Sequence, residues 1–312
     1  MAQPKVDILL STWNGEKFLA CQLDSLLAQD YPALRVLLRD DGSTDGTVGI
    51  IRQYAAADSR IEFVNDPGDG RARNLGYRDS FMELLSRAAD AEYYAFCDQD
   101  DFWFPEKVRL GVEALEAVGE GRPALYSSSF DYCDTALNRT SAPPMPRGRN
   151  TLRRTLFYST AFGFTAILNR ALRSRILEFA PKCPALPHDH LCEQLACIYG
   201  EHVRDARKTA LYRRHAGAVT ASFGGAAKLA VGWVRNDLLG STMATYRKYS
   251  RQLLAAIPGD SPEEREARRL LELFGRGRFN PASWLGRVFY PWRLRPTIPG
   301  EIALRLALAL RP

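Results

Sequence analysis

The sequence predicts an α/β fold: a mostly parallel sheet with helices on both faces, followed by a helical, amphipathic C-terminal extension. Two observations predict the sheet. Short apolar runs rich in β-formers alternate with amphipathic helical patterns, and the first four runs begin roughly 30 residues apart, the rhythm of βαβ units. The extension is predicted by a change of character near residue 222, after which helical patterns dominate and the last stretch is basic and aromatic.

The elements follow from the apolar periodicity of each segment. In the first half, strands are predicted at 5–12, 34–40, 60–65 and 92–98, separated by helices at 16–29, 45–56 and 72–88. Beyond these, the patterns predict helices at 105–118, 170–179 and from 188, strands at 123–130 and 162–168, an extended segment at 206–215, and helices at 226–256 and 261–275. We therefore expect a sheet domain over 1–221, with halves at about 1–104 and 105–221, and an extension over 222–312.

Composition excludes several classes of protein. With 46% hydrophobic and 25% charged residues, the chain is close to the globular average, which argues against a disordered, collagenous or coiled-coil protein. The six cysteines show no CxxC pattern and are interpreted as reduced core thiols. The net charge of +6 suits an anionic partner. No signal-peptide pattern and no apolar run long enough to cross a bilayer are seen, so a cytoplasmic location is expected.

Polar side chains gather where three predicted strands end. Thr12, Trp13 and Asn14 follow the first strand, Asp40 and Asp41 the second, and Asp98, Asp100 and Asp101 the fourth. Open α/β sheets bind ligands outside the carboxyl ends of their strands. Carboxylates brought so close repel one another unless a cation joins them, and Mg²⁺ or Mn²⁺ favours oxygen ligands and bridges phosphates. The pattern predicts a divalent-metal site that holds a phosphate-bearing ligand.

Each motif also has a simpler interpretation. DDGSTDG at 40–46 is compatible with a polar turn that caps a helix, and DQDD at 98–101 with a solvated loop. Their joint occurrence at strand ends favours a binding site. The chain has neither GxxxxGK[ST] nor a GxGxxG after its first strand, which disfavours P-loop and nicotinamide enzymes.

Four ordered segments carry a resemblance to a known family. They are ILLSTWNGEKFLACQLDSLLAQDYP (8–32), RDDGSTDGT (39–47), NLGYRDSFMELL (74–85) and YYAFCDQDDFWFPEKV (93–108). Together they resemble family 2 glycosyltransferases, which have the GT-A nucleotide-diphospho-sugar transferase fold. The sequence is most similar to the rhamnosyltransferase-like branch, in which the acidic motif reads DQDD. The resemblance covers roughly residues 5–221.

The resemblance implies roles for the residues at the strand ends. It implies that Thr12, Trp13, Asn14, Asp40 and Asp41 hold the nucleotide, with Asp41 on the base. The DxD motif maps to Asp98, near the ribose and metal, and Asp100, on the Mn²⁺ or Mg²⁺ ion. Asp101 is either a supporting partner of these residues or a helix cap. The segment LYRRHAGAVT places Arg213 or Arg214 on the diphosphate and His215 beside the metal, unless the arginines form a solvated strand edge and His215 is structural.

An inverting enzyme of this family also needs a carboxylate that deprotonates the acceptor hydroxyl. The matching segment reads PHDHL, so the resemblance assigns this base to Asp189. His188 occupies a position that is often Glu in the family, and helix capping by Asp189 is the alternative. His188 and His190 are expected to be bystanders. For Arg71, Arg73 and Arg78 a solvated helix face is the favoured interpretation.

The end of the chain predicts contact with a membrane. Residues 276–312 carry seven arginines against one acid, Glu301, and interleave them with aromatic residues that include Trp284, Phe289, Tyr290 and Trp292. A basic aromatic stretch too short to span can lie in the headgroup layer of an anionic membrane. A helical cap on the sheet domain and a dimer interface are the alternatives. No nucleic-acid-binding module accompanies the charge, so no nucleic-acid partner is expected.

The sequence thus predicts a metal-dependent inverting glycosyltransferase. Its expected donor is a nucleotide-diphospho-sugar, with dTDP-rhamnose favoured, and its acceptor is a cell-surface polysaccharide or lipid-linked glycan precursor at the inner face of the cell membrane. The alternatives are a UDP-hexose donor on the same fold and a non-catalytic sugar-nucleotide or glycan-binding module. Loss of the DxD motif or of the acceptor-side carboxylate would mark such a module, and this sequence retains both.

Overall fold

The computed structural model describes residues 3–68, 70, 72–119, 121–142, 150–215, 240–275 and 280–310. The strands are β1 (Val6–Thr12), β2 (Leu34–Asp40), β3 (Ile61–Phe63), β4 (Tyr93–Cys97), β5 (Phe102–Trp103), β6 (Ala124–Cys133), β7 (Arg139–Thr140), β8 (Ala166–Asn169) and β9 (Glu201–Arg213). The helices are α1 (Leu19–Leu27), α2 (Thr47–Ala57), α3 (Tyr77–Arg87), α4 (Lys107–Glu116), α5 (Leu152–Thr155), α6 (Arg170–Phe179), α7 (His188–Tyr199), α8 (Thr242–Ala256), α9 (Pro262–Gly275), α10 (Pro281–Val288) and α11 (Ile298–Leu310). A 3₁₀ turn, Gly163–Thr165, precedes β8.

The strands form one sheet in the order β3-β2-β1-β4-β8-β6-β9-β5, with β7 paired to β6. The first four strands are parallel, as the βαβ rhythm predicts. Beyond them the sheet is mixed, because β8 lies between β4 and β6 and runs antiparallel to both. Strand β9 is parallel to β6 and antiparallel to β5. The predicted α/β class is confirmed, and its parallel character belongs mainly to the first half of the chain.

Helices cover both faces of the sheet, and strand β1 shows why its sequence is continuously apolar. Leu9 packs into one hydrophobic cluster, whereas its neighbours Ile8 and Leu10 pack into the other. Side chains alternate between faces along a strand, so a strand buried on both sides needs apolar residues at successive positions. The first cluster includes residues of α3, α6 and α7, and the second includes residues of α1 and α4.

Asn169 joins the two halves of the sheet. Its Oδ1 accepts hydrogen bonds from the backbone N–H of Ala124, at 3.0 Å, and from that of Leu172, also at 3.0 Å. Its Nδ2 donates to the carbonyl of Arg122. The same amide therefore caps the N-terminus of α6 and holds the start of β6 against the end of β8.

The C-terminal helices pack on the same hydrophobic cluster as α7. Their buried members are Met243, Leu253, Ala256, Ile257, Ala267, Leu271, Phe274, Leu294, Leu304, Ala307 and Leu308. Tyr199 at the end of α7 donates its hydroxyl hydrogen bond to Glu264 of α9, at 2.9 Å. This packing agrees with one alternative for the tail, a helical cap on the sheet domain. The predicted boundary between 221 and 222 and the helix start at 226 lie outside the described residues, and the domain division stays a prediction.

We predict that the C-terminal helices contribute to the stability of the whole protein. Leu304 is fully buried, whereas Leu306 on the same helix is 47% exposed. Leu304→Ala should lower the free energy of unfolding by about 2–5 kcal/mol, because it leaves a cavity in the shared core. Leu306→Ala is the matched control and should change it by less than about 0.5 kcal/mol. Urea denaturation followed by circular dichroism measures both, and equal effects would contradict the shared core.

Candidate active site

The three strand ends that the sequence singled out lie side by side. Thr12 at the end of β1 pairs with Asp40 at the end of β2, and Leu10 pairs with Cys97 at the end of β4. The loops that follow these strands therefore open at one edge of the sheet. Trp13 on the first loop and Tyr77 at the start of α3 are 55% and 56% exposed, so two aromatic rings remain available to a ligand.

The carboxylates of Asp40 and Asp41 are buried and bonded within the chain. Asp40 accepts hydrogen bonds from the hydroxyl of Thr12, at 3.0 Å, and from the backbone N–H groups of Gly42 and Ser43. Gly42 has a φ of 88°, and a Cβ there would lie 2.8 Å from a backbone oxygen, so the loop requires glycine. In the structure Thr12 and Asp40 therefore shape the loop. Their direct contact with a nucleotide stays a prediction.

Asp41 is held by an ion pair that the sequence analysis missed. The guanidinium of Arg39 donates to Asp41, at 2.6 Å, and to the hydroxyl of Ser80, at 2.9 Å, and both members of the pair are buried. The backbone N–H groups of Leu75 and Gly76 also donate to Asp41. With its oxygens so engaged, Asp41 fastens the start of α3 to the end of β2. A contact between Asp41 and a base is untested.

The first loop is tied to the second through Asn14. Asn14 has a φ of 48°, in the left-handed region that asparagine tolerates better than most residues. Its backbone N–H donates to the hydroxyl of Ser43, and its side-chain oxygen accepts from the N–H of Thr44, at 2.7 Å. Asn14 thus acts within the loop and is exposed at the mouth of the site.

The first loop is tied to the acidic loop through Gln99, which the sequence analysis also missed. The side-chain oxygen of Gln99 accepts from the backbone N–H of Trp13, at 2.9 Å, and its Nε2 donates to the Trp13 carbonyl, at 3.0 Å. A Cβ at Gly15 would lie 2.2 Å from the Gln99 oxygen, so only glycine leaves room for this contact. The middle residue of the DxD motif therefore positions the backbone that carries the exposed Trp13 indole. The one sign of this contact in the sequence was the amide side chain of Gln99 between the two aspartates.

The acidic loop after β4 concentrates negative charge. Burial first, and then the charges of Asp100 and Asp189, raise the pKa of Asp98 to about 7. Burial also raises the pKa of Asp101 well above its usual value, with Asp100 and Asp98 adding to the effect. One Asp101 oxygen accepts from the N–H of Arg213, at 3.1 Å, and the other has no hydrogen-bond partner. Asp101 is a buried support of this loop.

The end of β9 reaches the same loop because β5 pairs with β9. His215 Nε2 lies 2.8 Å from a carboxylate oxygen of Asp100. Arg213 is buried and donates to the carbonyls of Asp100, at 2.7 Å, and Thr135, at 2.8 Å. Arg214 lies over the ring of Tyr132, 3.5 Å from its centroid. His215 thus contacts Asp100, whereas Arg213 holds the loop backbone, and a place for His215 beside a metal stays a prediction. Contact of either arginine with a diphosphate stays a prediction.

Lys107 is buried beneath the acidic loop, at the start of α4. Its Nζ donates to the hydroxyls of Ser128 and Thr209, each at 3.3 Å, and lies 4.7 Å from the centre of the Trp103 ring. Burial lowers its pKa to about 7, while the charges of Cys97 and Asp101 oppose that change. The sequence predicts a helix that begins with PEK, but nothing in that pattern indicates that Lys107 is buried.

Asp189 lies in the first turn of α7, close enough to Asp98 for its charge to raise the pKa of that carboxyl. It is half-buried, and its charge also contributes to the raised pKa of Tyr77. His188 is buried, its ring centroid lies 4.4 Å from that of Phe81, and burial lowers its pKa. The structure thus brings Asp189 to the acidic loop, and His188 packs against aromatic rings.

The three arginines that were interpreted as a solvated helix face have different surroundings. Arg78 is largely buried and donates to the carbonyls of Leu186, at 2.7 Å, and Ala180, at 3.0 Å. That expectation was wrong for Arg78, because these carbonyls precede α7 and need a donor. The backbone carbonyl of Arg73 accepts a hydrogen bond from the guanidinium of Arg39. Arg71 lies outside the described residues.

The residues at this edge fit a divalent cation that is shared with a phosphate ligand. In the part of the chain that the structure describes, no three His, Cys, Asp or Glu residues converge into a complete metal cage. Mg²⁺ and similar ions are commonly bound by one or two carboxylates, with substrate phosphates completing the shell. Asp98 and Asp100 supply two carboxylates, and the raised pKa of Asp98 is the effect that a nearby cation would reverse. The donor set suits Mg²⁺ or Mn²⁺.

Known protein sequences and solved structures are similar to this chain. Residues 7–176, more than half of the chain, match the family model described as Glycosyl transferase family 2. The putative glycosyltransferase EpsE of Bacillus subtilis (strain 168) is 31% identical over 179 residues, 49% of this chain and 62% of EpsE. The putative teichuronic acid biosynthesis glycosyltransferase TuaG of the same organism is 32% identical over 116 residues, 36% of this chain and 42% of TuaG. The matches thus span less than two thirds of both relatives.

Two solved structures share the fold over nearly the whole chain. S. aureus TarS 1-349 in complex with UDP-GlcNAc has a TM-score of 0.56 at 14% identity, covering 97% of this chain and 90% of that one. The mannosyltransferase PcManGT from Pyrobaculum calidifontis, in complex with GDP-Man and Mn²⁺, has a TM-score of 0.54 at 17% identity, covering 99% and 87%. Identities this low carry the fold alone, which is the expected GT-A fold. The family match and this fold show that the chain belongs to glycosyl transferase family 2.

Proposed function

We propose that this glycosyltransferase is metal-dependent and inverting, and that it transfers a sugar from a nucleotide-diphospho-sugar to a hydroxyl of a cell-surface polysaccharide or lipid-linked glycan precursor. One observation carries the proposal: Asp189, from a helix remote in sequence, is near enough to Asp98 for its charge to contribute to the raised pKa of that carboxyl. An acidic site for a cation and a separate carboxylate for the acceptor are the two parts that such a transfer needs.

The donor would bind between the first loop and the acidic loop. Trp13 offers an exposed indole to the nucleotide, and the loop around it is held by Asn14 and by the buried carboxylates of Asp40 and Asp41. Their bonding within the chain supports an indirect role, in which they keep the binding backbone in shape before the donor arrives. Arg213 or Arg214 would contact the diphosphate; the guanidinium of Arg213 donates to two carbonyls, and that of Arg214 lies over the Tyr132 ring.

Asp98 and Asp100 would hold the metal, with His215 beside them. A bound Mn²⁺ or Mg²⁺ supplies Lewis-acid stabilisation of the negative charge that grows on the leaving diphosphate. The PcManGT complex with GDP-Man and Mn²⁺ supports this assignment by analogy of fold. His215 accepts or donates at Asp100, which orients that carboxylate.

Asp189 would act as the general base. Its carboxylate takes the proton of the acceptor hydroxyl while the hydroxyl oxygen bonds to the anomeric carbon and the bond from that carbon to the diphosphate oxygen breaks. Asp189 lies in the first turn of α7. Its partial exposure leaves it accessible to an acceptor.

The donor sugar is the finer part of the proposal. The DQDD motif supports dTDP-rhamnose, whereas the structural neighbours are complexes with UDP-GlcNAc and GDP-Man, so UDP-hexoses remain the alternative. A non-catalytic binding module is disfavoured because Asp98, Asp100 and Asp189 are all present at one site. The name of TuaG supports a cell-envelope acceptor. With a lipid-linked acceptor, the enzyme would work in the cytoplasm at the inner membrane face, touching it through its C-terminal helices.

We expect one nucleotide-sugar to protect the protein from thermal unfolding, and to do so only with Mn²⁺ or Mg²⁺. The panel should contain dTDP-rhamnose, UDP-hexoses and GDP-mannose, each at about 100 times its Kd, where a specific ligand adds about 2.7 kcal/mol of stability. Asp100→Asn should lose the metal-dependent protection, and Asp90→Asn, an exposed carboxylate, should keep it. Equal protection of wild type in excess chelator would contradict the metal role.

Asp189→Asn should lower turnover by about 10²- to 10⁴-fold, because the amide cannot accept the proton. Donor affinity, measured by calorimetry with the donor that the panel identifies, should change little. The side-chain oxygen that accepts from the N–H of His190 is kept, so the start of α7 should stay intact. Normal turnover would move the base to another carboxylate.

Gln99→Ala should weaken donor binding by up to about 30-fold. The variant removes two hydrogen bonds to the Trp13 backbone, worth about 1 kcal/mol each, and so releases the indole from its position. Calorimetric titration with the donor measures the change, and Gln53→Ala, an exposed residue of α2, is the matched control. A Kd equal to that of wild type would show that the Gln99 contact does not act on the donor.

A further inference from the structure

Exposed apolar side chains gather on the C-terminal helices. Among the described residues, two of the large hydrophobic side chains that are exposed, Trp13 and Tyr77, lie at the candidate active site. The others form a set that we call the apolar surface: Leu285, Phe289, Trp292, Ile298, Ile302, Leu306 and Leu310. Soluble proteins rarely leave such a concentration uncovered, and it usually marks an interaction surface.

Helix α11 is apolar on two opposite faces. Ile298, Ile302, Leu306 and Leu310 recur every four residues and are between 47% and 70% exposed. The opposite face packs into the core through Leu304 and neighbouring residues. A helix that is apolar all round is normally enclosed by other structure. Within the described residues, the outer face of α11 is exposed.

Helices α10 and α11 lie against each other. Trp284 Nε1 donates to the carbonyl of Ala309, at 3.1 Å. The guanidinium of Arg305 donates to the carbonyls of Val288 and Trp292, each at 2.9 Å. The exposed residues of both helices are thus held on one rigid unit, which is anchored to the core by the buried face of α11.

The charges near the apolar surface are positive. Within 280–310, Glu301 is the one acid, and its carboxylate accepts from the N–H groups of Leu294 and Arg295 and from Arg305. Arg293 is exposed, and Arg153 lies over the Trp292 ring. Cations around an apolar face complement anionic lipid headgroups above acyl chains.

We propose that the apolar surface inserts into the interfacial layer of an anionic membrane, with α11 lying in the membrane plane. This rests on the proposed function insofar as a lipid-linked acceptor would be presented there. With 13 residues, α11 is about 20 Å long, too short for a hydrocarbon core of about 30 Å. No described helix is long and apolar enough to span a membrane.

Phe289 and Trp292 are shared with the set that the sequence indicated, and the other residues of that set differ from those of the apolar surface. Arg287 is fully buried, Arg295 is nearly so, and the indole N–H of Trp284 is used inside the protein. Ile302 and Leu306, which carry no charge and no aromatic ring, face outward instead. A second copy of the chain is a less suitable occupant, because a two-fold interface would bring the same arginines of both copies together.

The test compares vesicle binding of two double variants. Ile302→Gln with Leu306→Gln removes the centre of the apolar surface, and Ala56→Gln with Ala57→Gln alters two exposed positions of α2 as the control. The probe is co-sedimentation with phosphatidylglycerol–phosphatidylcholine vesicles. The first variant should bind at least about tenfold more weakly than wild type, and the control should bind like wild type. Binding of wild type should fall with salt and persist in part, because apolar insertion is not screened.

Two outcomes would overturn the proposal. One is equal vesicle binding by wild type and the Ile302/Leu306 variant. The other is a wild-type dimer in sedimentation equilibrium that the same variant converts to a monomer without any change in vesicle binding, which would assign the surface to a second copy. Nucleotide-sugar protection of both variants is measured in parallel. If it is retained while vesicle binding does not follow the expectation, the membrane proposal fails and the proposed function stands.

Discussion

Carboxylates crowd the end of β4, and their mutual repulsion must be offset before this edge of the sheet can fold as it does. The pKa values of Asp98 and Asp101 are raised, first by burial and second by the neighbouring carboxylates. The end of β9 offsets part of this repulsion because it lies against the loop. There the N–H of Arg213 donates to Asp101, and the ring of His215 contacts Asp100. In the proposed function, a bound cation would offset the remainder. The pairing of β5 with β9 and the position of α7 both serve this arrangement.

The two sides of the site are built differently. On the donor side, loops after β1 and β2 are fastened by buried side chains such as Arg39 and Asp41, so a ligand meets a backbone that is already ordered. On the acceptor side, the antiparallel entry of β8 ends the parallel part of the sheet, and α7 presents Asp189 from its first turn. In the proposed function, the loops after β1 and β2 would hold the donor and α7 would face the acceptor.

Much of this fold could be predicted from the sequence because its signals are local. The continuous apolar run of β1 and the acidic residues after β2 and β4 each lie within a few residues of one another. The contacts that were missed join positions far apart: Gln99 with Trp13, Arg39 with Ser80, and Arg78 with the carbonyls before α7. The same limit affected the tail, where charge and aromaticity dominate the pattern although Arg287 is buried. Burial depends on tertiary neighbours that composition does not contain.

Because Gly15 lies close to the Gln99 side chain, the residues tolerated at these two positions depend on each other. A side chain at 15 would collide with the amide that holds Trp13, so a substitution there is tolerated only if residue 99 becomes smaller or turns away. A smaller residue at 99, in turn, removes the requirement for glycine at 15. A side chain at position 15 should therefore displace the Gln99 amide from the Trp13 backbone, even where the fold is kept.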